Sequence, residues 1–161
     1  METQGRLIVD LSRLDAAGDI YEGETAPDIL ELEDNEFICP KGGISYKLTV
    51  QALGSELLVR GSLCQTLVCR CAGCDKSFEL EVKEADFIDS FEINEENAFP
   101  DLTNALREAI ILNLPAYPRC SESCKGLCGT CGVNLNDGEC SCNADHENDC
   151  WSALDALDSL K

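Results

Sequence analysis

Twelve cysteines in 161 residues, most of them in close pairs, restrict what this chain can become. Cys71/Cys74 and Cys128/Cys131 are CxxC pairs, and Cys120/Cys124 and Cys140/Cys142 are two further close pairs. The stretch that holds six of these residues, 120–142, has little apolar material and no hydrophobic periodicity. Ordering a backbone costs about 1–2 kcal/mol per residue, so burial alone cannot fold it. A CxxC turn presents two thiolates to one metal, and tetrahedral zinc takes two such contributions. Glycine follows the second pair at Gly132, where it can turn backbone N–H groups toward the sulfurs without a Cβ clash.

Disulfides are the competing use of paired cysteines. The N-terminus, METQGRLIVDL, lacks the basic region and apolar run of a secretory signal. No stretch approaches about 18 uninterrupted apolar residues, so no membrane span is expected. A cytoplasmic location follows, and stable disulfides are rare in that reducing compartment. The expected ligands are therefore eight cysteines holding two zinc ions. The preferred partition puts Cys71, Cys74, Cys120 and Cys124 in one site and Cys128, Cys131, Cys140 and Cys142 in the other. Each site then uses chain segments in order. The rival partition joins Cys71/Cys74 to Cys128/Cys131 and leaves Cys120, Cys124, Cys140 and Cys142 together. Cys64 and Cys69 read as buried small apolar residues. Cys39 and Cys150 take no role, and His146 reads as a solvated loop histidine rather than a ligand.

Charge narrows function. The formal charge is −19, which opposes binding to nucleic-acid phosphates or to an anionic membrane surface. It suits a soluble protein or one with a basic partner. Arg70, Lys76, Arg119 and Lys125 flank the cysteines of the first site, in a chain with only 12 bases. Such cations would steady a zinc–tetrathiolate centre, which carries a net charge of about −2.

Along the chain, residues 6–11 read as a short strand and 16–40 as an acidic loop, or as a strand touching the core at intervals. Residues 44–52 alternate clearly, with Ile44, Tyr46, Leu48, Val50 and Ala52 on one face. A turn at 53–55 returns a strand over 56–63. A second hairpin, 65–71 with 77–82, carries Cys71 and Cys74 at its tip, and 87–93 adds one more strand. Asp101 then caps a helix on which Leu102, Ala105, Leu106, Ala109 and Ile110 share a face, stopped by Pro115 and Pro118. A short terminal helix is expected from Asp149 onward, with Trp151, Leu154, Leu157 and Leu160 on one side. The predicted fold is α+β: an antiparallel β-meander packed on one long helix, with a C-terminal cysteine-rich zinc lobe. Three regions follow: an acidic segment over 1–43, a sheet-plus-helix core over 44–119, and the zinc lobe with its helix over 120–161.

The run from Cys71-Ala-Gly-Cys74 to Phe78, the segment Glu108-Ala-Ile-Ile-Leu-Asn-Leu-Pro115 and the motif CKGLCGTCGVNLN over 124–136 resemble the YceD family. The most specific part is CKGLC-x-x-CG-x-NLN. The likeness extends from 44 to the C-terminus and is weak over the first 40 residues. It implies a bacterial or plastid-type protein that supports accumulation or processing of 23S ribosomal RNA and assembly of the large subunit, without enzymatic activity. It also implies a neighbour, since family genes often adjoin one for a small basic large-subunit ribosomal protein. The expected partner is thus such a protein or a ribosome precursor, bound by acidic surfaces. Two rival functions remain: a thiol oxidoreductase using a CxxC pair, and a zinc-ribbon nucleic-acid binder. Redox CxxC pairs usually open a helix, and neither pair here precedes an amphipathic one.

Overall fold

The computed structural model describes residues 5–32, 35–93 and 98–142. Its frame is a five-stranded antiparallel sheet of β1 (Asp19–Glu24), β2 (Ile38–Pro40), β3 (Ser45–Leu53), β4 (Glu56–Arg70) and β5 (Ser77–Glu92). One helix, α1 (Thr103–Leu112), packs on the sheet. β4 is central: β3 and β2 pair along one side of it, at opposite ends, and β5 along the other. β1 adds to the far side of β3.

The meander over 44–93 is present, but with fewer and longer strands than the alternation suggests. Residues 56–63 and 65–70 form one continuous strand, and 77–82 and 87–92 form another. The reason lies in β5. Its pairing with β4 slips by one between Gly61/Phe87 and Leu63/Glu84, so β5 carries one extra residue there. Before this bulge the even positions Phe78, Leu80 and Val82 face the core; after it the odd positions Phe87 and Phe91 do. A one-residue slip exchanges the faces of a strand. The sequence pattern breaks where the backbone does not.

The inward face of the sheet presents Leu48, Val50, Leu57, Val59, Leu63, Leu67 and Cys69, all buried. Against it α1 lays Leu106 and Ile110, preceded by Leu102, and the N-terminal segment adds Leu7, Val9 and Leu30. The helix is short, 10 residues, rather than long. Leu114 precedes Pro115 and is biased away from helical backbone, so the helix ends at Leu112. The N-cap position is Leu102 rather than Asp101, which sits one residue earlier and accepts the Thr103 N–H at Oδ1 from 3.0 Å.

Residues 6–11 do not make a strand. Only Ile8 bridges to Asp101, and Leu11–Arg13 turn into a 3-10 helix. The partner segment contains Pro100, which has no N–H to extend a ladder; its carbonyl accepts from Val9 N–H at 3.0 Å. The acidic stretch after it does touch the core at intervals, through β1, a 3-10 turn over Pro27–Leu30, and β2. The helix expected from Asp149 lies outside the described residues, as do Cys150 and His146. No helix among the described residues is long and apolar enough to cross a membrane.

Gly61 marks a close approach between β4 and β3. A Cβ there would lie 2.0 Å from the Lys47 carbonyl oxygen and 2.8 Å from Leu48 Cα. Gly61→Val should therefore lower stability by about 1–3 kcal/mol or more, since the backbone must separate to admit it. The exposed neighbour change Ser62→Ala should stay within about 0.5 kcal/mol. Denaturant midpoints of the two variants check this, and equal midpoints would refute the close-approach argument.

Candidate metal centres

The eight cysteines come together in two groups of four. The Sγ atoms of Cys71, Cys74, Cys120 and Cys124 all lie within 4.8 Å of one another, and so do those of Cys128, Cys131, Cys140 and Cys142. The first group is the more buried, with Cys71 3% exposed. It joins the tip of the β4–β5 hairpin to the segment after α1. Cys71 points inward because it continues the odd-numbered buried row of β4 past its last residue.

Both CxxC pairs sit in the same kind of turn. Asp75 N–H bonds to the Cys71 carbonyl at 2.9 Å and Gly132 N–H to the Cys128 carbonyl at 2.9 Å. Cys71 N–H reaches the Lys76 carbonyl at 2.9 Å, and Cys128 N–H the Val133 carbonyl at 2.8 Å. The residue after each second cysteine is left-handed, with φ 57° at Asp75 and 74° at Gly132. Glycine meets that demand at no steric cost, and aspartate is among the few other residues that tolerate it. Neither turn opens a helix: β5 follows the first, and the second folds back through a bridge between Leu127 and Asn134.

The spacing fits metal rather than disulfide. Cys71 Sγ lies 3.7 Å from Cys124 Sγ, and Cys74 Sγ 3.6 Å from Cys120 Sγ. A disulfide needs about 2.05 Å. A tetrahedron with zinc–sulfur bonds of about 2.3 Å has edges of about 3.8 Å. The donor set is all sulfur, which suits zinc among the common divalent ions.

Amides, more than side-chain cations, face the sulfurs. Cys120 N–H points at Cys71 Sγ from 3.3 Å. That donor, aided by the N–H groups of Cys74 and Gly73, holds the Cys71 thiol down to about 6 against the effect of burial. The Gly126 N–H first, and then the Asn136 amide, lower Cys124. In the second group the N–H groups of Cys131 and Thr130 bring Cys128 to about 6. The neighbouring sulfurs of Cys131 and Cys128, with burial, push Cys142 up to about 12. At Cys74 the Lys76 N–H pulls downward, but burial and the other three sulfurs win, and the thiol rises to about 12. Four crowded thiols cannot all ionise unaided, and a divalent cation removes that conflict. Of the four flanking bases, Arg70 pairs with Asp75 at 3.6 Å.

The remaining cysteines separate. Cys69 is buried in the core, as its strand context implies. Cys64 is only half-buried on the opposite face, its Sγ 3.2 Å from Glu81 Oε1, and Cys39 is exposed.

One contributor is subtler in the sequence. The NLN motif closes the lobe as a turn, with Asp137 N–H on the Asn134 carbonyl at 3.1 Å. Beyond that, Asn136 Oδ1 accepts the Lys125 N–H at 2.8 Å while its Nδ2 donates to Asn134 Oδ1 at 2.8 Å and faces Cys124 Sγ at 3.5 Å. Asn136 therefore orients a candidate ligand. Such supporting contacts are typically worth about 10–100-fold in metal affinity. Asn136→Ala should weaken zinc retention by that order in a chelator competition, and unchanged retention would remove Asn136 from this role.

The family model described as "Large ribosomal RNA subunit accumulation protein YceD" matches residues 75–158, just over half of the chain. The curated "Large ribosomal RNA subunit accumulation protein YCED homolog 1, chloroplastic" of Arabidopsis thaliana is 30% identical over 57 residues, 35% of this chain. The matched part spans only 18% of that plant protein's length. No solved structure matches. With two of the four cysteines of the first group, all of the second and the NLN turn inside the matched stretch, the chain belongs to the YceD family.

Proposed function

We propose that this protein is a zinc-stabilised interaction protein that supports accumulation of 23S ribosomal RNA and assembly of the large ribosomal subunit in the cytoplasm. It acts by binding rather than by chemistry. The observation that carries the reading is the pair of four-sulfur groups within a chain of this family. Cys71, Cys74, Cys120 and Cys124 would hold one zinc, and Cys128, Cys131, Cys140 and Cys142 a second. Four thiolates leave no open position on the metal, the arrangement of structural rather than catalytic zinc. When bound, the ions supply cross-links that replace a hydrophobic core, and two such centres would take the formal charge from −19 to about −23.

The partner implied is a basic large-subunit ribosomal protein or a precursor particle that presents one. A surface this acidic accelerates encounter with a basic partner and repels bare phosphates. The absence of a helix after either CxxC turn works against a redox role, which would draw on a helix N-terminus to lower a thiolate pKa.

Metal analysis of the purified protein should find about two zinc per chain, falling to about one in the Cys140→Ser/Cys142→Ser variant. A result of zero, or two in both proteins, would refute the assignment of ligands. Chelation should accelerate amide exchange over 120–142 by orders of magnitude while β3 and β4 stay protected, because only the former lacks an apolar core. Uniform exchange before and after chelation would contradict a structural role. Affinity purification should enrich large-subunit precursors or a basic ribosomal protein, and a tagged chain that never enriches either would end the ribosomal reading.

A further inference from the structure

Among the described residues, β5 pairs only with β4, so one border of this 16-residue strand faces away from the sheet. Two of its N–H groups donate to carboxylates of their own strand. Asp86 N–H donates to Glu84 Oε1 at 3.1 Å, and Ser90 N–H to Asp89 Oδ1 at 2.8 Å. Alongside this border, between it and α1, runs a groove of about 300 Å³. Four carboxylates line it, those of Glu84, Asp86, Asp89 and Glu108, and no lysine or arginine does. Its apolar wall includes Ala109 and Leu112, and Leu112 is 76% exposed at the end of α1. Ile88, in the middle of the same stretch of strand, is 65% exposed.

These features have one occupant in common. We propose that β5 receives an extended, basic segment of a protein partner as an added strand, seated between the Glu84–Asp89 stretch and α1. Main-chain hydrogen bonds along the border supply the docking, as in other cases of strand addition. Side chains of the incoming segment alternate between the two faces, so lysine or arginine on the α1 side reach Asp89 and Glu108 while apolar residues on the other side meet Ile88. The carboxylates also keep the border from pairing with a second copy of the same acidic chain. The inference rests on the reading of the protein as a binder of a basic partner, and it locates the surface.

The test uses the full-length, zinc-loaded chain and an end-blocked peptide, Lys-Val-Lys-Val-Lys-Val-Lys, with a glutamate-for-lysine peptide as control. The lysine peptide should bind and slow amide exchange at Ile88 and Ser90, while the glutamate peptide should not. The double variant Asp86→Lys/Glu108→Lys should weaken binding at least tenfold. Ser90→Pro should do the same, since it removes an outward N–H without touching the β4 ladder. Protection that maps elsewhere, equal binding of both peptides, or wild-type affinity in the charge-reversal variant would overturn the proposal. If Ser90→Pro fails to fold, as judged by its zinc content, the exchange map and the charge-reversal variant decide alone. The two readings fail separately. Precursor capture undiminished in the charge-reversal variant overturns the β5 site only, whereas peptide bound at β5 with no precursor captured by the wild type overturns the ribosomal role only.

Discussion

β4 sets the position of nearly everything else. Its odd-numbered residues Leu57, Val59, Leu63, Gln65, Leu67 and Cys69 form a buried row in which only Gly61 is half-buried. β3, β2 and β5 all take their register from this strand. Because a strand alternates with a period of two, the same row delivers Cys71 inward at its end. The hydrophobic core and the first cysteine group are thus successive parts of one alternating pattern. A slip of β4 by one residue would expose the leucines and turn Cys71 away from Cys120 and Cys124 together.

The two ends of the molecule are organised by different forces. Over the sheet and α1, packed aliphatic side chains exclude water, and the buried Leu102, Leu106 and Ile110 attach the helix. Over 120–142 apolar residues are few, and hydrogen bonds to and around sulfur take over. Backbone contacts link the regimes: Ala72 N–H bonds to the Pro118 carbonyl at 2.8 Å and Leu127 N–H to the Gly73 carbonyl at 2.9 Å. The zinc proposed for the first group would close the same joint covalently. The Cys120 N–H from the facing segment lowers the Cys71 thiol first, and the Cys131 N–H of its own turn lowers Cys128, so each group favours one thiolate before any cation is counted.

Much of this was legible in the residues, and the misses have physical causes. The alternation over 44–52 announced β3, and CxxC spacing announced both turns. The continuity of β5 was hidden because its bulge shifts the buried face from even to odd positions, which reads as two strands. The helix looked longer because Leu114 continues its apolar face, whereas backbone sterics before Pro115 end it. Residues 6–11 looked like a strand because apolar alternation does not reveal that the partner segment contains a proline. The contact of Asn136 with Cys124 also depends on a fold-back that local propensity does not specify.

By itself, the sequence determined that 120–142 could not fold through burial, that its cysteines come in metal-spaced pairs, and that the surface would be strongly acidic. These are properties of composition and local spacing, and they hold whatever the long-range arrangement. Tertiary structure alone decided which pairs meet. Cys71 and Cys124 are 53 positions apart, and their 3.7 Å approach depends on α1 packing against the sheet and returning the chain to the hairpin tip. It also decided that β5, among the described residues, pairs along one border only and leaves the other beside α1. Such a border is a relation between strands, and no residue type encodes it.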